Sequence, residues 1–326
     1  MATSGTISTT TFNTLKVVDQ AFRRCRLNAE QISSEMQDYA KDVLYLQLSE
    51  LANGKTPSWC IQKQIYPFYE GQPDITLDVG TVEVLNANYR TLQEVTGSTT
   101  TTSTSYTVDF TTDTVVNTVG VKWSAAAVTI TLQVSSDGSS WTTVGTQTTA
   151  AASGAWTWTD ISGAVAYRYF RFTAGSAISY SEVFLGNTPS EIPMGSLNRD
   201  TYVAQSNKVF TGRPTTYWFQ RDRSQPVFHT WPAPNSDAEH AQLIIWRHRH
   251  IMDVGTLQQE IEVPQRWLEA IIAGLAARVA AETPTVDINL ISTLEQKYTV
   301  ALQKAWDGDN DGSPTFFQPR IGVYTR

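Results

Sequence analysis

The chain has 326 residues, 24 Lys and Arg against 31 Asp and Glu, a formal charge of −7 and an apolar fraction of 41% that includes 10 Trp. That length supports two or three domains, each with its own core, and the composition gives no sign of large-scale disorder. The acidic balance argues against tight wrapping of nucleic acid, which needs clustered Lys and Arg, but leaves DNA admissible as a passing neighbour in a conduit whose wall repels phosphate. No run approaches the roughly 20 apolar residues that span a bilayer. The opening Met1-Ala2-Thr3-Ser4-Gly5 has neither the basic nor the apolar region of a signal peptide, so synthesis and folding in a cytoplasm are expected. Cys25 and Cys60 provide neither a disulfide framework nor a metal-site spacing, and each is expected as a small buried hydrophobe.

In chain order, Phe12, Leu15, Val18 and Phe22 line one face of a helix that stops near Arg26-Leu27, with Arg23, Arg24 and Arg26 as its solvated end. Asn28 followed by Gln31 resembles a capping box. Ile32, Met36, Tyr39, Ala40, Val43, Leu44, Leu46 and Leu51 then carry a second helix to Asn53-Gly54. From Thr56 the period changes. Ile61, Ile65, Phe68 and Tyr69 lead into a turn at Gly71–Asp74, Ile75, Leu77 and Val79 alternate as a strand, and Val82, Val84 and Leu85 open a run that continues to Leu92. These segments predict a small antiparallel sheet.

From Thr96 to Asn187 the residues are mainly Thr, Ser, Ala and Val. Gly97–Ser103 reads as a low-complexity linker. Beyond it Tyr106, Val108 and Phe110 alternate, as do Val119, Val121 and Trp123, then Val128, Ile130, Leu132 and Val134, then Trp156 and Trp158, before Tyr167–Phe172. Short strands at this spacing predict a β-sandwich of about 90 residues, with Val95 and Pro189 close together as in an inserted domain.

After a loop at Ile192-Pro193-Met194, Asp200 is expected to cap a short helix. Thr216, Trp218 and Gln220 pair with Val227, His229 and Trp231, and Leu243, Ile245 and Arg247 continue the sheet with Trp246, His248 and His250 on its other face. Pro264 suits the first turn of a helix whose stripe is Leu268, Ile271, Ile272, Leu275 and Val279. Ala270, Ala273, Gly274, Ala276, Ala277, Ala280 and Ala281 make that helix slim enough for close neighbours. Thr283-Pro284 ends it, Asp287 caps the next, and Leu290, Ile291, Leu294, Tyr298, Leu302, Ala305 and Trp306 form a second stripe on an antiparallel partner.

Two helices cannot hide both stripes, so the N-terminal pair is expected to join them. The predicted fold class is α+β: a helical bundle core from both chain ends, a small antiparallel sheet and an inserted sandwich. The expected segments are 1–95, 96–187, 188–312 and a C-terminal tail, 313–326, too apolar to be a free terminus.

Ser135–Val144 with its Ser-Asp-Gly-x-x-Trp turn, Tyr167–Phe172 and Ser181–Asn187 resemble the discoidin, or coagulation-factor type C, family. The resemblance implies a jelly-roll sandwich, many members of which bind sugars or membranes through loops at one end. Those loops are too variable to carry over, and Trp141, Trp156 and Trp158 read as core or rim rather than a stacking platform.

A second resemblance covers about 230 residues on both sides of the sandwich. Val18–Cys25, Leu44–Gly54, Gly212–Phe219, Trp246–Gly255, Val263–Ala276 and the ending Tyr324-Thr325-Arg326 are similar to the head-to-tail adaptor (tail tubular, portal-adaptor) proteins of short-tailed bacteriophages. It implies a structural protein of the virion neck, in a homo-oligomeric ring of usually twelve subunits under the portal protein. Such a ring meets a tail nozzle or tail tube protein, with tail fibres as further neighbours, and lets genomic DNA pass without reading its sequence. Leu268, Ile271, Ile272, Leu275 and Val279 would be its ring-core helix. Phe316, Phe317, Pro319, Arg320, Ile321, Tyr324 and Arg326 would clasp the portal. The alternative is a carbohydrate-binding or host-adhesion protein that works through the sandwich.

No Gly-x-Ser-x-Gly, phosphate-binding loop or His-Glu-x-x-His is present, so neither enzymatic activity nor a cofactor is expected. Asp307-Gly308-Asp309-Asn310-Asp311-Gly312 matches the first half of a calcium loop, but its twelfth position is Gln318 and Pro314 interrupts the exit helix, which favours a solvated loop. His248 and His250 share a strand face without a third ligand nearby. With Arg247 and Arg249 they read as an exposed basic edge.

Overall fold

The computed structural model describes residues 12–53, 56–148, 151–163, 165–222 and 225–309. The chain divides into two compact units, Met1–Ile61 with Arg249–Arg326, and Gln62–His248.

In the first unit, α1 (Thr14–Arg24) starts at Asn13, whose side chain accepts from the Lys16 N–H at 3.0 Å. Gln31 does reach back to the Asn28 N–H, at 2.9 Å, but the turn it closes is a 3-10 turn at Ala29–Gln31. Helix α2 (Ser34–Asn53) begins later, with Ser33 Oγ accepting from Met36 N–H at 3.2 Å. Its buried face is Ala40, Val43, Leu44, Gln47, Leu48 and Leu51, while Leu46, expected in the stripe, is 60% exposed. The last two long helices are α4 (Gln265–Glu282) and α5 (Ile288–Gly308). Pro264 is the N-cap of α4, just outside the position predicted for it, and Asp287 caps α5 by accepting from Asn289 N–H at 2.8 Å. Trp267 in the first turn of α4 meets Trp306 in the last turn of α5 at 4.7 Å, edge to face, which makes the pair antiparallel.

Helix α4 is the hub. Val17, Val18 and Phe22 of α1, Ala40 and Leu44 of α2, and Leu294 and Ala305 of α5 share one buried cluster with Trp267, Ile271, Leu275 and Val279. Gly274 sets how closely they approach: a Cβ there would stand 2.3 Å from Gln47 Nε2 and 2.7 Å from the Tyr298 ring. Gln47, wholly buried, donates to the Ile271 carbonyl at 3.3 Å. Backbone bonds also tie the two ends, with Thr14 N–H to Gln259 O and Leu15 N–H to Leu257 O, both 2.9 Å.

The second unit holds β1 (Ile61–Pro67, from its second residue), β2 (Asp74–Thr76), β3 (Thr81–Glu94), β4 (Ser98–Thr101), β5 (Ser105–Thr114), β6 (Thr118–Trp123), β7 (Ile130–Ser135), β8 (Thr142–Gln147) and β9 (Trp156–Asp160). It continues with β10 (Tyr167–Ala174), β11 (Tyr180–Pro193), β12 (Gly195–Ser196), helix α3 (Arg199–Val203), β13 (Thr211–Gly212), β14 (Thr216–Gln220), β15 (Val227–Trp231), β16 (Ala233–Pro234) and β17 (Gln242–Arg249). A six-stranded sheet runs β1-β17-β3-β11-β6-β9, and a five-stranded one β4-β5-β10-β7-β8. Phe110, Val121, Trp123, Leu132, Phe170, Phe172 and Leu185 fill the sandwich between them. Strand β11 joins two regions: Tyr180–Gly186 pairs with β6 of the sandwich, and Gly186–Pro193 pairs with β3. A smaller sheet, β12-β14-β15-β2, buries Tyr217 and Phe228.

Three local expectations change. Ser98–Thr101, read as linker, is an edge strand on β5, as its β-branched threonines favour. Strand β2 stops at Thr76, leaving Val79 72% exposed. Asn198, not Asp200, caps α3 by accepting from Thr201 N–H at 2.7 Å.

Gly274→Ala gains about 1 kcal/mol of helix propensity and loses about 1–3 kcal/mol to overpacking against Gln47 and Tyr298. A net loss of roughly 1 kcal/mol is expected, read as a lower midpoint in a thermal melt.

Candidate functional site

Strand β9 projects alternate side chains to opposite faces. Thr157 points into the sandwich, accepting from Trp123 Nε1 at 2.8 Å and donating to Gln147 Oε1 at 2.8 Å. Trp156, Trp158 and Asp160 therefore belong to the other face. There the two indoles stack at 5.0 Å and 14°, and join Phe184, Leu92, Ile65 and Tyr69 in a cluster separate from the sandwich core. Trp158 covers Gly120 of β6, where a Cβ would lie 2.3 Å from the ring, so the indole can lie flat on that strand only because the position is glycine. The Trp156 backbone N–H donates to the Tyr69 hydroxyl at 3.0 Å.

Beside these rings lies a charged network. Arg90 of β3 is 4% exposed and bridges Asp160 of β9 at 2.7 Å, Glu191 of β11 at 2.9 Å and the Gln242 side chain of β17 at 3.1 Å. Lys63 of β1 also reaches Asp160, at 2.7 Å, and Thr118 Oγ1 donates to it at 3.0 Å. Burial would raise the Asp160 pKa, but hydrogen bonds from Arg90 and Lys63 outweigh it and hold the carboxyl below its usual range. Glu191 is likewise held low against its burial, by Asn88 and Arg90.

A groove of about 490 Å³ lies here, lined by Trp156 and Trp158 and by the polar groups of Lys63, Gln64, Tyr66, Asp78 and Asp160. Gln64 donates to Asp78, and the Tyr66 hydroxyl donates to Gln64 and accepts from Asp78 N–H at 3.1 Å. Trp158 is 8% exposed, and its indole N–H has no acceptor among the described residues. A second cavity, within the sandwich and lined by Phe110, Val116, Val134, Ile161, Tyr167 and Phe170, measures only about 50 Å³. It has room for one or two waters and few groups to pair with a ligand hydroxyl.

The residues singled out from sequence fall as follows. Ile271, Ile272, Leu275 and Val279 are buried within their own unit, and Leu268 is half-buried there. Phe316, Phe317, Pro319, Arg320, Ile321, Tyr324, Arg326 and Asp311 lie outside the described residues. Asp309 of the calcium-like run holds the end of α5: it accepts from Ser58 N–H at 2.6 Å, Ser58 Oγ at 2.7 Å and Arg266 Nε at 3.0 Å. The exposed basic edge is corrected. Arg247 and His248 are 5% and 2% exposed, because β17 is an inner strand, and Arg247 donates to Thr81 Oγ1 at 2.6 Å and Gln62 Oε1 at 3.0 Å. Arg249 is paired with Glu262. Trp141 carries the Arg171 guanidinium 3.8 Å from its ring centre. Sequence reasoning missed Lys63, Arg90, Asp160 and Glu191. The available signal was the period of two that sets Asp160 on the face of Trp156 and Trp158.

A family model described as a NedA-like, galactose-binding domain matches residues 85–172. Among solved structures, the chain is similar to the C-terminal domain of a chitobiase from Bacteroides fragilis (11% identity, TM-score 0.23), with 27% of this chain and 64% of that one covered. It is also similar to CpGH89CBM32-5 from Clostridium perfringens in complex with GalNAc-β-1,3-galactose (13% identity, TM-score 0.23; 41% and 100% covered). A third is chitosan-binding module 1 from a chitosanase/glucanase of Paenibacillus sp. (20% identity, TM-score 0.22; 41% and 100% covered). No curated protein matches in sequence. The chain is thus a mixed α+β protein that carries a discoidin-like, F5/8 type C β-sandwich domain.

Arg90→Met leaves Asp160 and Glu191 without their main partner. Because both carboxylates are about a third exposed and Lys63 remains, a loss near the low end, about 3 kcal/mol, is expected in urea unfolding. Two carboxyls with lowered folded pKa values stabilise the fold above the ordinary carboxylate range and lose that contribution as pH falls through the folded values. The wild-type unfolding midpoint should therefore drop on acidification below about pH 4, and less steeply in Arg90→Met.

Proposed function

We propose that this protein is a non-enzymatic binding protein whose discoidin-like domain holds a carbohydrate in the groove beside Trp158. The observation that carries this reading is the groove itself, about 490 Å³ and lined by two indoles together with an amine, an amide, a phenol and two carboxylates. Sugars present that mixture of C–H faces and hydroxyl groups. Support also comes from the galactose-binding family model, whose match includes Trp156, Trp158 and Asp160. Galactose-containing glycans are the first ligands to test.

A second reading, a head-to-tail connector of a phage virion, is favoured by a different observation. Residues from both chain ends build one helical unit around a slim, alanine-rich α4, with the rest of the chain between them. In this reading copies assemble by heterologous contacts that close into a ring, probed for twelve subunits, between portal protein and tail nozzle with DNA passing through. In this reading the sandwich would serve host adhesion.

On a glycan array the full-length chain should retain galactose- or N-acetylgalactosamine-terminated glycans. Gln64→Ala, which removes one groove amide, should weaken binding about tenfold by calorimetry, with a melt lowered by no more than the loss of its bonds to Asp78 and Tyr66, about 1–2 kcal/mol. Retention of no glycan would remove the carbohydrate reading. Mass photometry with and without portal protein addresses the connector reading, which requires discrete rings.

A further inference from the structure

Both functional readings leave the outer face of the five-stranded sheet unused. On β10, Phe170 and Phe172 fill the sandwich core, so Arg171 between them belongs to the opposite face. Its cross-strand neighbours are Thr107 of β5 and Gln133 of β7, and Gln133 in turn lies opposite Thr143 of β8. A hydroxyl, a guanidinium, an amide and a second hydroxyl thus form one row across four strands.

The row is fixed in place. Gln133 Nε2 donates to Thr143 Oγ1 at 3.4 Å, which leaves its carbonyl oxygen for Arg171, whose Nε donates to it at 2.8 Å. Trp141 lies against the same guanidinium, 3.8 Å from Cζ to the ring centre. A tight turn delivers that indole: Asp137 Oδ1 accepts from the Ser139 and Ser140 N–H groups at 2.9 and 2.8 Å, and Ser135 Oγ accepts from the Gly138 N–H at 2.9 Å. The guanidinium is therefore ordered before any ligand arrives, which reduces the entropy that binding has to remove.

The charge on Arg171 is what the fold leaves unanswered. Arg24, Arg90, Arg168, Arg247, Arg249 and Arg278 are each buried or half-buried, and each pairs with a carboxylate. Arg171 is half-buried too, yet among the described residues it pairs with no carboxylate, and its terminal Nη1 and Nη2 have no acceptor. Burial alone acts on its pKa and lowers it, as it does for a cation without a counter-ion. A chain with 31 Asp and Glu does not lack acids to set there.

We propose that this row binds an acidic saccharide, with the carboxylate of a hexuronate on the terminal nitrogens of Arg171 and its ring hydroxyls on Thr107 and Thr143. A planar guanidinium receives a planar carboxylate through two parallel hydrogen bonds, a fit that a lysine cannot reproduce. An acidic peptide would bring the carboxylate without hydroxyls to match the groups on either side. The row lies on a different sheet from the strands that line the groove beside Trp158, and the proposal does not rest on the carbohydrate reading of that groove.

The test is calorimetry of the full-length protein with trigalacturonate, its methyl ester and a tetra-aspartate peptide, with circular dichroism to verify that each variant folds. Wild type should bind trigalacturonate, and bind the uncharged ester at least tenfold more weakly. Arg171→Lys, which keeps the charge but loses the fork, should weaken binding about tenfold, and Arg171→Gln should abolish it. Gln64→Ala, in the other groove, should leave the affinity unchanged. Absence of binding by wild type, equal binding of the ester, or unchanged affinity in both Arg171 variants would overturn the proposal. So would tetra-aspartate bound as tightly as trigalacturonate, which makes the ligand a peptide, or loss of trigalacturonate binding in Gln64→Ala, which assigns it to the groove.

Discussion

A buried cation ties together four strands of the second unit. Arg90, on an inner strand of the six-stranded sheet, takes its acceptors from three other strands, and one of these, Asp160, is shared with Lys63 of the far edge. Strands that are distant in sheet order are thereby fastened at one point. The arrangement also has a cost, since a guanidinium that loses its partners in a place so poorly hydrated would be strongly unfavourable. The same carboxylate that neutralises Arg90 lines the groove, so stability and ligand chemistry meet at Asp160.

The groove exists because β9 serves two faces. Thr157 completes the sandwich, and the tryptophans on either side turn away from it onto Phe184, Leu92 and Ile65. Gly120 makes the near wall thin enough for an indole, and β11, shared between sandwich and neighbouring strands, brings the far wall alongside. A sandwich attached by flexible linkers alone would have no such corner.

The helical unit uses the opposite device, the absence of side chains. Gly274 and its alanine neighbours let α2 and α5 approach α4 from different sides, and Gln47 then spans the gap to a backbone carbonyl. The slimness read from sequence as room for close neighbours is met at Gly274 by Gln47 of α2 and Tyr298 of α5.

Much of the element list was legible because it follows from local chemistry: the stripe Ile271, Leu275 and Val279, the Asp287 cap, and the alternation through Val119, Val121 and Trp123 are set by residues a few positions apart. Local signals failed where a partner distant in sequence decides the outcome. Threonines at 98–101 became a strand because β5 lay beside them, and Arg247 and His248 became buried because β17 has neighbours on both sides. The site was least legible, since Lys63, Arg90, Asp160 and Glu191 come from four strands and no spacing connects them. By itself the sequence determined periodicity and the Asp287 cap, both short-range in origin. Tertiary structure alone decided which charges meet, because electrostatic pairing in a folded chain depends on separation in space, which a linear order of residues does not contain.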